Sequence, residues 1–282
     1  MLADLHSHST VSDGMLAPAA LAQRAHANGV TLWALTDHDE VGGLAEAAQA
    51  ARALGMDFLN GVEISVSYAG KTVHIVGLGI DPSNAALLEG LAHTRSGRGQ
   101  RARDMAHKLE GMGISGAYAG AVALAGNPQL LSRTHLARYV VAQGHCSSMQ
   151  QVFDRYLGDN GPAFVPHQWA KLADAVGWIR GAGGVAVIAH PGRYGFEGAA
   201  EWALFTDFVA AGGQAVEIAT GSHRIDELPV YADLAQQFQL AHSCGSDFHG
   251  SKESRHDLGH YPQISLKLPG VWDLIPERIQ RA

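Results

Sequence analysis

The stretch LWALTDHD (residues 32–39) decides the fold, because a short apolar run leads directly into a polar cluster. The run predicts a buried strand from Leu32 to Thr36 that delivers His38 at its C-terminal end. In barrels of alternating strands and helices, the functional residues lie at the C-terminal ends of the strands. The stretch therefore predicts an α/β barrel with its chemistry at the barrel mouth.

Short apolar runs alternate with helical segments on both sides of this stretch. A helix follows the first run, Met1 to Leu5, and has Pro18 near its start and Gly29 just past its end, the usual positions of these two residues. This alternation predicts a parallel sheet with crossover helices. The further predicted strands are one that leads to Glu63 and the runs Val73 to Ile80, Val185 to Ala189, Ala215 to Ala219 and Ala241 to Cys244.

The stretch from Arg95 to Lys171 breaks the alternation. It has helical segments but no convincing strand, and it has two glycine-rich turns, Gly111 to Gly120 and Gly126 to Pro128. Its nine Lys and Arg exceed its four Asp and Glu, a net charge of +5, while the rest of the chain carries −12. We predict a basic helical insertion over residues 95–171 and a barrel formed by residues 1–94 and 172–282.

Size and composition exclude several classes of protein. A chain of 282 residues suits one large domain with an insertion, and its net charge of −7 argues against a general nucleic-acid coat. Two cysteines make no disulfide framework, which predicts a cytoplasmic location. The N-terminus enters a strand at once, and no apolar run approaches the roughly 20 residues of a membrane span. We expect no removable signal, no membrane contact and no protein partner.

Nine potential metal donors recur in short motifs. His6 and His8 lie two residues apart in DLHSHS, so in an extended strand both project to one face and can bind one ion; Asp247 and His249 repeat this spacing in GSDFHG. Such donors are the usual ligands of Mn, Fe or Zn ions, which make water nucleophilic near neutral pH. The pattern predicts a metallohydrolase. The donors are His6, His8, Asp13, His38, Glu63, His74, His190, Asp247 and His249.

The order of these motifs resembles the polymerase and histidinol phosphatase (PHP) family of metal-dependent phosphoesterases, over nearly the whole chain outside the insertion. The resemblance implies a distorted seven-stranded (β/α) barrel with one to three metal ions at its C-terminal face. By position, Glu63 would bridge two ions. The implied groups are His6, His8, Glu63 and Asp247; Glu63, His74 and His190; and Asp13, His38 and His249.

Within that family, the basic insertion with SRTHLARYVV (Ser132 to Val141) resembles the nucleoside 3′,5′-bisphosphate phosphatases. This branch implies removal of the 3′-phosphate to give a 5′-monophosphate, with Arg133 and His135 facing the site. The branch also contains enzymes that trim short RNA from its 5′ end, so a 5′ to 3′ exoribonuclease is the first alternative. Histidinol-phosphate phosphatase and a non-catalytic, metal-stabilised accessory module are the others.

Roles within the site follow from the chemistry of phosphate ester hydrolysis. Asp13, His38 and His249 are predicted to lie on the substrate side, and His190 or His249 to protonate the leaving oxygen. Arg224 would bind the phosphate that does not react. We interpret the Arg95 to Arg103 cluster as an exposed helix surface, with an extension of a groove for RNA as the alternative. Six imidazoles favour Mn²⁺, with Fe²⁺ and Zn²⁺ as alternatives, over Mg²⁺, which prefers oxygen ligands.

Overall fold

The computed structural model describes residues 1–265 and 267–282. Within them the chain forms a mixed seven-stranded sheet that curls into a nearly closed barrel, as predicted, with the strands side by side in chain order. The strands are β1 (Ala3–Asp4), β2 (Leu32–Leu35), β3 (Asp57–Tyr68), β4 (Lys71–Leu78), β5 (Val185–Ile188), β6 (Ala215–Thr220) and β7 (Ala241–Gly245).

Helices cover the outside of this sheet. Pro18 begins α1 and Gly29, with φ of +83°, follows its end, as the sequence predicts. The barrel helices are α1 (Pro18–Ala27), α2 (Leu44–Ala53), α3 (Ala85–Arg95), α8 (Leu172–Gly181), α9 (Ala199–Ala210) and α10 (Leu228–Gln237). Buried apolar side chains, including Trp33 and Phe58 with ring centroids 5.3 Å apart, fill the space between helices and sheet.

The sheet is not fully parallel, and the prediction of a parallel sheet was wrong at β4. This strand runs antiparallel to both β3 and β5. The cause is a two-residue hairpin turn at Ala69 and Gly70, whose φ values are +45° and +78°. Two positive φ values in succession match the twist of a tight hairpin, which reverses the chain direction. The other neighbouring strands pair in parallel.

The barrel closes between its first and last strands. Leu5, directly after β1, donates a backbone hydrogen bond to Cys244 in β7, and further along the backbone N–H of Asp247 donates to the carbonyl of His6 at 2.9 Å. Gly245 permits this approach, because a Cβ atom there would lie 2.5 Å from the Cβ of His6. The closure therefore brings the first and last metal motifs of the chain together.

A second hydrophobic cluster lies between β4 and β5 in the chain. It spans Ala102 to Ala163 and is separate from the barrel core. Its helices are α4 (Arg98–Gly111), α5 (Ala117–Leu124), α6 (Arg133–Ala142) and the short α7 (Met149–Val152), which continues as a π-helical turn to Leu157. The predicted turn from Gly111 to Gly120 was wrong in its second half, since α5 begins at Ala117. The domain boundaries at 95 and 171 stay a prediction.

Within the described ranges, no helix combines the length and the apolar character that crossing a membrane requires. Cys146 and Cys244 are both buried and unlinked.

Candidate functional site

Glu63, at the middle of β3, is the centre of the candidate site. Its side chain is fully buried, and its Oε1 faces three imidazole nitrogens, those of His74 at 3.0 Å, His190 at 3.1 Å and His6 at 3.2 Å. Its Oε2 lies 2.7 Å from His38 Nδ1 and 3.4 Å from His8 Nε2. Each oxygen of the Glu63 carboxylate thus faces at least two imidazole nitrogens, with which it could share a metal ion, and its bridging role stays a prediction.

All nine predicted donors come together around Glu63. They form four overlapping groups, and within each group the donor atoms lie within 4.8 Å of one another. The implied trio of Asp13, His38 and His249 is present and also includes His8. The groups are His8, Asp13, His38 and His249; His6, Glu63 and His190; His6, His8 and Asp247; and His38, Glu63 and His74. The assignment of each donor to an ion stays a prediction.

The fit of these residues to metal ions can be tested on their unpaired atoms. Among the described residues, ten buried side-chain nitrogen or oxygen atoms make no hydrogen bond of acceptable geometry, and seven belong to the nine donors, even where two of them lie close together, as His38 Nδ1 and Glu63 Oε2 do. Burying a polar atom without a partner costs roughly 1–3 kcal/mol, so such atoms rarely cluster without a ligand. The seven include His6 Nε2, Asp13 Oδ1 and Glu63 Oε2. The cluster is therefore suited to divalent metal ions.

Protonation differs sharply between neighbouring histidines of the metal-free cluster. Burial, followed by the charges of His249 and His38, lowers the pKa of His8 to about 3. Burial also lowers the pKa of His249, but Asp13 and Asp247 outweigh it and raise that pKa to about 9. Burial and the nearby Arg193 lower the pKa of His190 to about 4. His249 is not alone in this respect, because nearby carboxylates outweigh burial and also raise the pKa values of His6 and His38.

Three residues at the donor cluster have a strained backbone conformation. Asp39, His190 and Asp247 have φ values of +51°, +25° and +54°, which non-glycine residues rarely adopt. Each is held by a hydrogen bond from its backbone N–H: to the Glu63 carbonyl at 2.8 Å, to Glu217 Oε2 at 2.7 Å and to the His6 carbonyl at 2.9 Å, respectively. The surrounding structure therefore imposes the turns that aim these residues inward.

The carboxylates on either side of His38 hold its loop in place by accepting hydrogen bonds from neighbouring segments. Asp37 accepts hydrogen bonds from the Ser9 backbone at 2.8 Å and from the Ser12 hydroxyl at 2.6 Å, so it ties the loop to the segment that follows His8. Asp39 accepts from the Ser65 backbone at 2.8 Å and pairs with the buried guanidinium of Arg98. Both carboxylates serve the loop and are outside the donor groups among the described residues.

Glu217 is a functional candidate that the sequence reasoning missed. Its buried carboxylate accepts hydrogen bonds from His6 Nδ1 and from the His190 backbone, both at 2.7 Å. A bond to Nδ1 leaves His6 Nε2 as the donor atom and fixes the ring, the usual arrangement behind a metal-binding histidine. The signal in the sequence was a carboxylate inside the apolar strand AVEIAT.

Arginines share a cavity with the donors. Arg98, Arg101 and Arg133 line the cavity whose wall also includes Asp13, His38 and Glu63. The interpretation of the Arg95 to Arg103 cluster as an exposed surface was wrong for Arg98 and Arg101, which are only 6% and 7% exposed. Their guanidinium groups stack on Trp169, with distances to the ring centroid of 4.6 and 5.3 Å.

The positive charges of these arginines are only partly neutralised by acidic side chains. Burial, with the neighbouring Arg133 and Arg98, lowers the pKa of Arg101 to about 9. Arg98 pairs with Asp39, and Arg133 pairs with Asp159 at 2.7 Å, whereas Arg101 donates to the backbone carbonyl of Val165. A cavity with such an excess of buried positive charge favours an anion.

The other predicted substrate residues lie elsewhere. His135 is buried, its Nδ1 accepts a hydrogen bond from the Ser132 backbone at 3.2 Å, and burial lowers its pKa to about 4. Arg224 has a side chain that is 63% exposed and paired with Asp226. Neither residue is among the described ones that line the cavity. Their role in substrate binding stays a prediction.

Comparison with known proteins agrees with this geometry. The family model described as PHP domain matches residues 4–181. The chain is 50% identical to a 3′,5′-nucleoside bisphosphate phosphatase of Chromobacterium violaceum, over 99% of this chain and 98% of that protein. It is 44% identical to a 5′-3′ exoribonuclease of Haemophilus influenzae over 87% and 89% of the two chains. For the 5′-3′ exoribonuclease Rnm of Escherichia coli, the identity is 39% over 96% and 92%.

Solved structures give the same result. A structure described as an amidohydrolase from Chromobacterium violaceum, with bound sulfate and no metal, superposes with a TM-score of 0.96 at 50% identity, over 100% of this chain and 98% of that one. A protein of Bifidobacterium adolescentis, described as a metal-dependent phosphoesterase, gives 0.83 at 25% identity over 98% and 96%. The barrel and its donor cluster are thus of a known class, and the chain belongs to the PHP family.

Proposed function

We propose that this chain is a metal-dependent phosphatase that removes the 3′-phosphate from nucleoside 3′,5′-bisphosphates, such as adenosine 3′,5′-bisphosphate. The products are the 5′-monophosphate and inorganic phosphate. One observation carries the proposal: a single cavity presents both the donor cluster and four arginines, Arg98, Arg101, Arg133 and Arg193. A nucleotide with two phosphates can place one at the donors and the other at the arginines. The 50% identity to a phosphatase of this specificity supports it.

The cofactor in this proposal is one to three divalent ions, with Mn²⁺ preferred over Fe²⁺ and Zn²⁺. When bound, such ions polarise phosphoryl oxygens and make water nucleophilic near neutral pH. His6, His8, Glu63 and Asp247 would hold one ion. Glu63, His74 and His190 would hold a second, and Asp13, His38 and His249 would complete a third. Three carboxylates do not neutralise two or three such ions, so the site keeps a positive charge that favours a phosphate dianion.

The leaving oxygen needs a proton as its bond to phosphorus breaks. His249, when it is not committed to an ion, is the better placed of the two predicted acids, because its side chain is 18% exposed at the cavities, while that of His190 is 2% exposed. Its Nε2 lies 3.4 Å from Asp13 Oδ1, which orients the ring. We therefore assign the acid role to His249, while its neighbours Asp13 and His38 would hold an ion beside the reacting phosphate.

A 5′ to 3′ exoribonuclease activity is the second candidate, and a second cavity favours it. This cavity has a volume of about 460 Å³ and meets the first at Asp247 and His249. Arg255 lines the second cavity, and Arg193 and Phe153 line both, so together they offer charge for a phosphate and a ring for a base. The second cavity would accept the next nucleotide of a short RNA. The exoribonucleases at 44% and 39% identity support this alternative.

The remaining alternatives have less support. Histidinol-phosphate phosphatase needs no arginine-lined insertion, and a non-catalytic accessory module needs no complete set of nine donors. A small nucleotide is thus the preferred partner, with short RNA as the second. The cytoplasmic location, which the two unlinked cysteines favour, stays part of the proposal.

We expect the wild-type chain to prefer 3′,5′-bisphosphates strongly over 3′-monophosphates. A remote phosphate bound by arginine orients the reacting one and so raises kcat/KM. Replacing Arg133 with alanine should lower kcat/KM for the bisphosphate. The expected loss of transition-state stabilisation is about 1.5–3 kcal/mol, the contribution of a charged hydrogen bond, and the 3′-monophosphate should barely be affected. Steady-state kinetics on both substrates measures this difference.

The Arg224→Ala variant belongs in the same experiment, because Arg224 was also predicted to bind the 5′-phosphate. It would have to leave Asp226 and turn toward the cavity to do so. Equal losses on both substrates would mean that the arginine concerned serves the reacting phosphate or the fold. A wild-type chain with no preference between the substrates would refute the two-phosphate model.

A further inference from the structure

Asp13 is a candidate metal donor that the insertion touches directly. The Ser132 hydroxyl, at the start of α6, donates to Asp13 Oδ2 at 2.9 Å. The other oxygen, Asp13 Oδ1, is buried without a hydrogen-bond partner among the described residues. It faces His249 Nε2 at 3.4 Å and His38 Nε2 at 3.7 Å. Ser132 thus fixes one oxygen of the carboxylate and leaves the other directed into the donor cluster.

The same helix also forms hydrogen bonds with two chain segments next to this donor group, one at Asp13 and one at Glu253. Arg138, only 8% exposed, donates to the Asp13 carbonyl at 2.5 Å. It also forms two hydrogen bonds of 2.7 Å with the carboxylate of Glu253. The neighbouring Ser254 accepts a hydrogen bond from the His249 backbone at 2.7 Å. Helix α6 therefore contacts the chain segment that carries Asp13 and, through Glu253, the segment that holds the backbone of His249.

We propose that Ser132 is a positioning residue for Asp13, and that α6, through Ser132 at its start and Arg138, holds Asp13 within the donor group of His8, Asp13, His38 and His249. This inference rests on the metal site of the proposed function. If α6 holds Asp13 ready for an ion, an ion on Asp13 must in turn stabilise the docking of α6, because coupling between two binding events is reciprocal. Ion binding at the barrel mouth and docking of the insertion then depend on each other.

A glycine in place of Ser132 separates this role from helix capping. The Ser132 hydroxyl also accepts from the Thr134 backbone at 3.1 Å, but glycine at a helix N-cap costs only a few tenths of a kcal/mol relative to serine. The Ser132→Thr variant keeps the hydroxyl. Ser148→Gly is the matched control, because its exposed hydroxyl caps α7 through the Gln151 backbone and does not contact Asp13.

The first measurement is titration of the metal-free protein with Mn²⁺ by calorimetry. Residues that orient a metal ligand typically change affinity by about 10- to 100-fold. We expect Ser132→Gly to weaken the binding of one Mn²⁺ ion by that factor. Ser132→Thr should keep the wild-type affinity, and Ser148→Gly should match the wild type. Unchanged Mn²⁺ affinity in Ser132→Gly, or an equal loss in Ser148→Gly, would overturn the proposal.

The second measurement is hydrogen exchange of the α6 amides with and without Mn²⁺. Exchange over residues 133–142 should slow on Mn²⁺ addition in the wild type and in Ser132→Thr, but not in Ser132→Gly. An equal slowing in all three proteins would rule out coupling through Ser132. Neither measurement uses a substrate. A chain that shows these effects but does not hydrolyse bisphosphates would refute the proposed function and leave this inference in place.

Discussion

Replacing His249 with alanine should lower kcat by at least roughly 100-fold, the scale of one general acid or electrostatic group. The variant loses an imidazole that lies 3.4 Å from Asp13 and lines both cavities, where it is placed to donate a proton to the leaving oxygen. Steady-state hydrolysis of adenosine 3′,5′-bisphosphate, with released phosphate as the readout, gives the size of the effect.

His260→Ala is the matched control for this variant. His260 is exposed, lies eleven residues further along the chain and is outside the described lining of both cavities that meet at His249. It should keep wild-type kcat. If His249→Ala folds with unchanged thermal stability and keeps a near-normal kcat, the acid role assigned to His249 is wrong.

Removal of divalent ions should abolish hydrolysis altogether. Seven buried donor atoms make no protein hydrogen bond of acceptable geometry, so the cluster should retain ions during purification. We expect elemental analysis of unchelated protein to find at least one transition metal per chain. Chelation should eliminate activity, and addition of Mn²⁺ should restore it. Metal-free protein that keeps full activity in the presence of chelator would refute the hydrolase proposal.

The sequence predicted the parts of the fold that depend on local patterns. A short apolar run that ends in a polar motif identifies both a buried strand and its C-terminal end, so β2 and the loop with His38 were predicted together. The direction of β4 was not predicted, because it depends on a single turn. Ala69 and Gly70 lie between two strand-forming runs, and their positive φ values reverse the chain.

The site was predictable where donors occur in motifs, and less so where contacts are long-range. Arg98 and Arg101 lie on a helix whose other residues are mostly polar, so the pattern suggested an exposed surface. They are buried because Asp39 and Trp169, distant in the chain, pack against them. Glu217 was missed for the same reason, since its partner His6 is 211 residues away.

The most direct test of the central claim is a product assay on two substrates in parallel. Purified protein with Mn²⁺ is given either adenosine 3′,5′-bisphosphate or a short oligoribonucleotide with a 5′-phosphate, and the products are separated by chromatography. The account predicts adenosine 5′-monophosphate and phosphate from the first substrate, at a higher kcat/KM than mononucleotide release from the second. Release of mononucleotides from RNA without hydrolysis of the bisphosphate would contradict it.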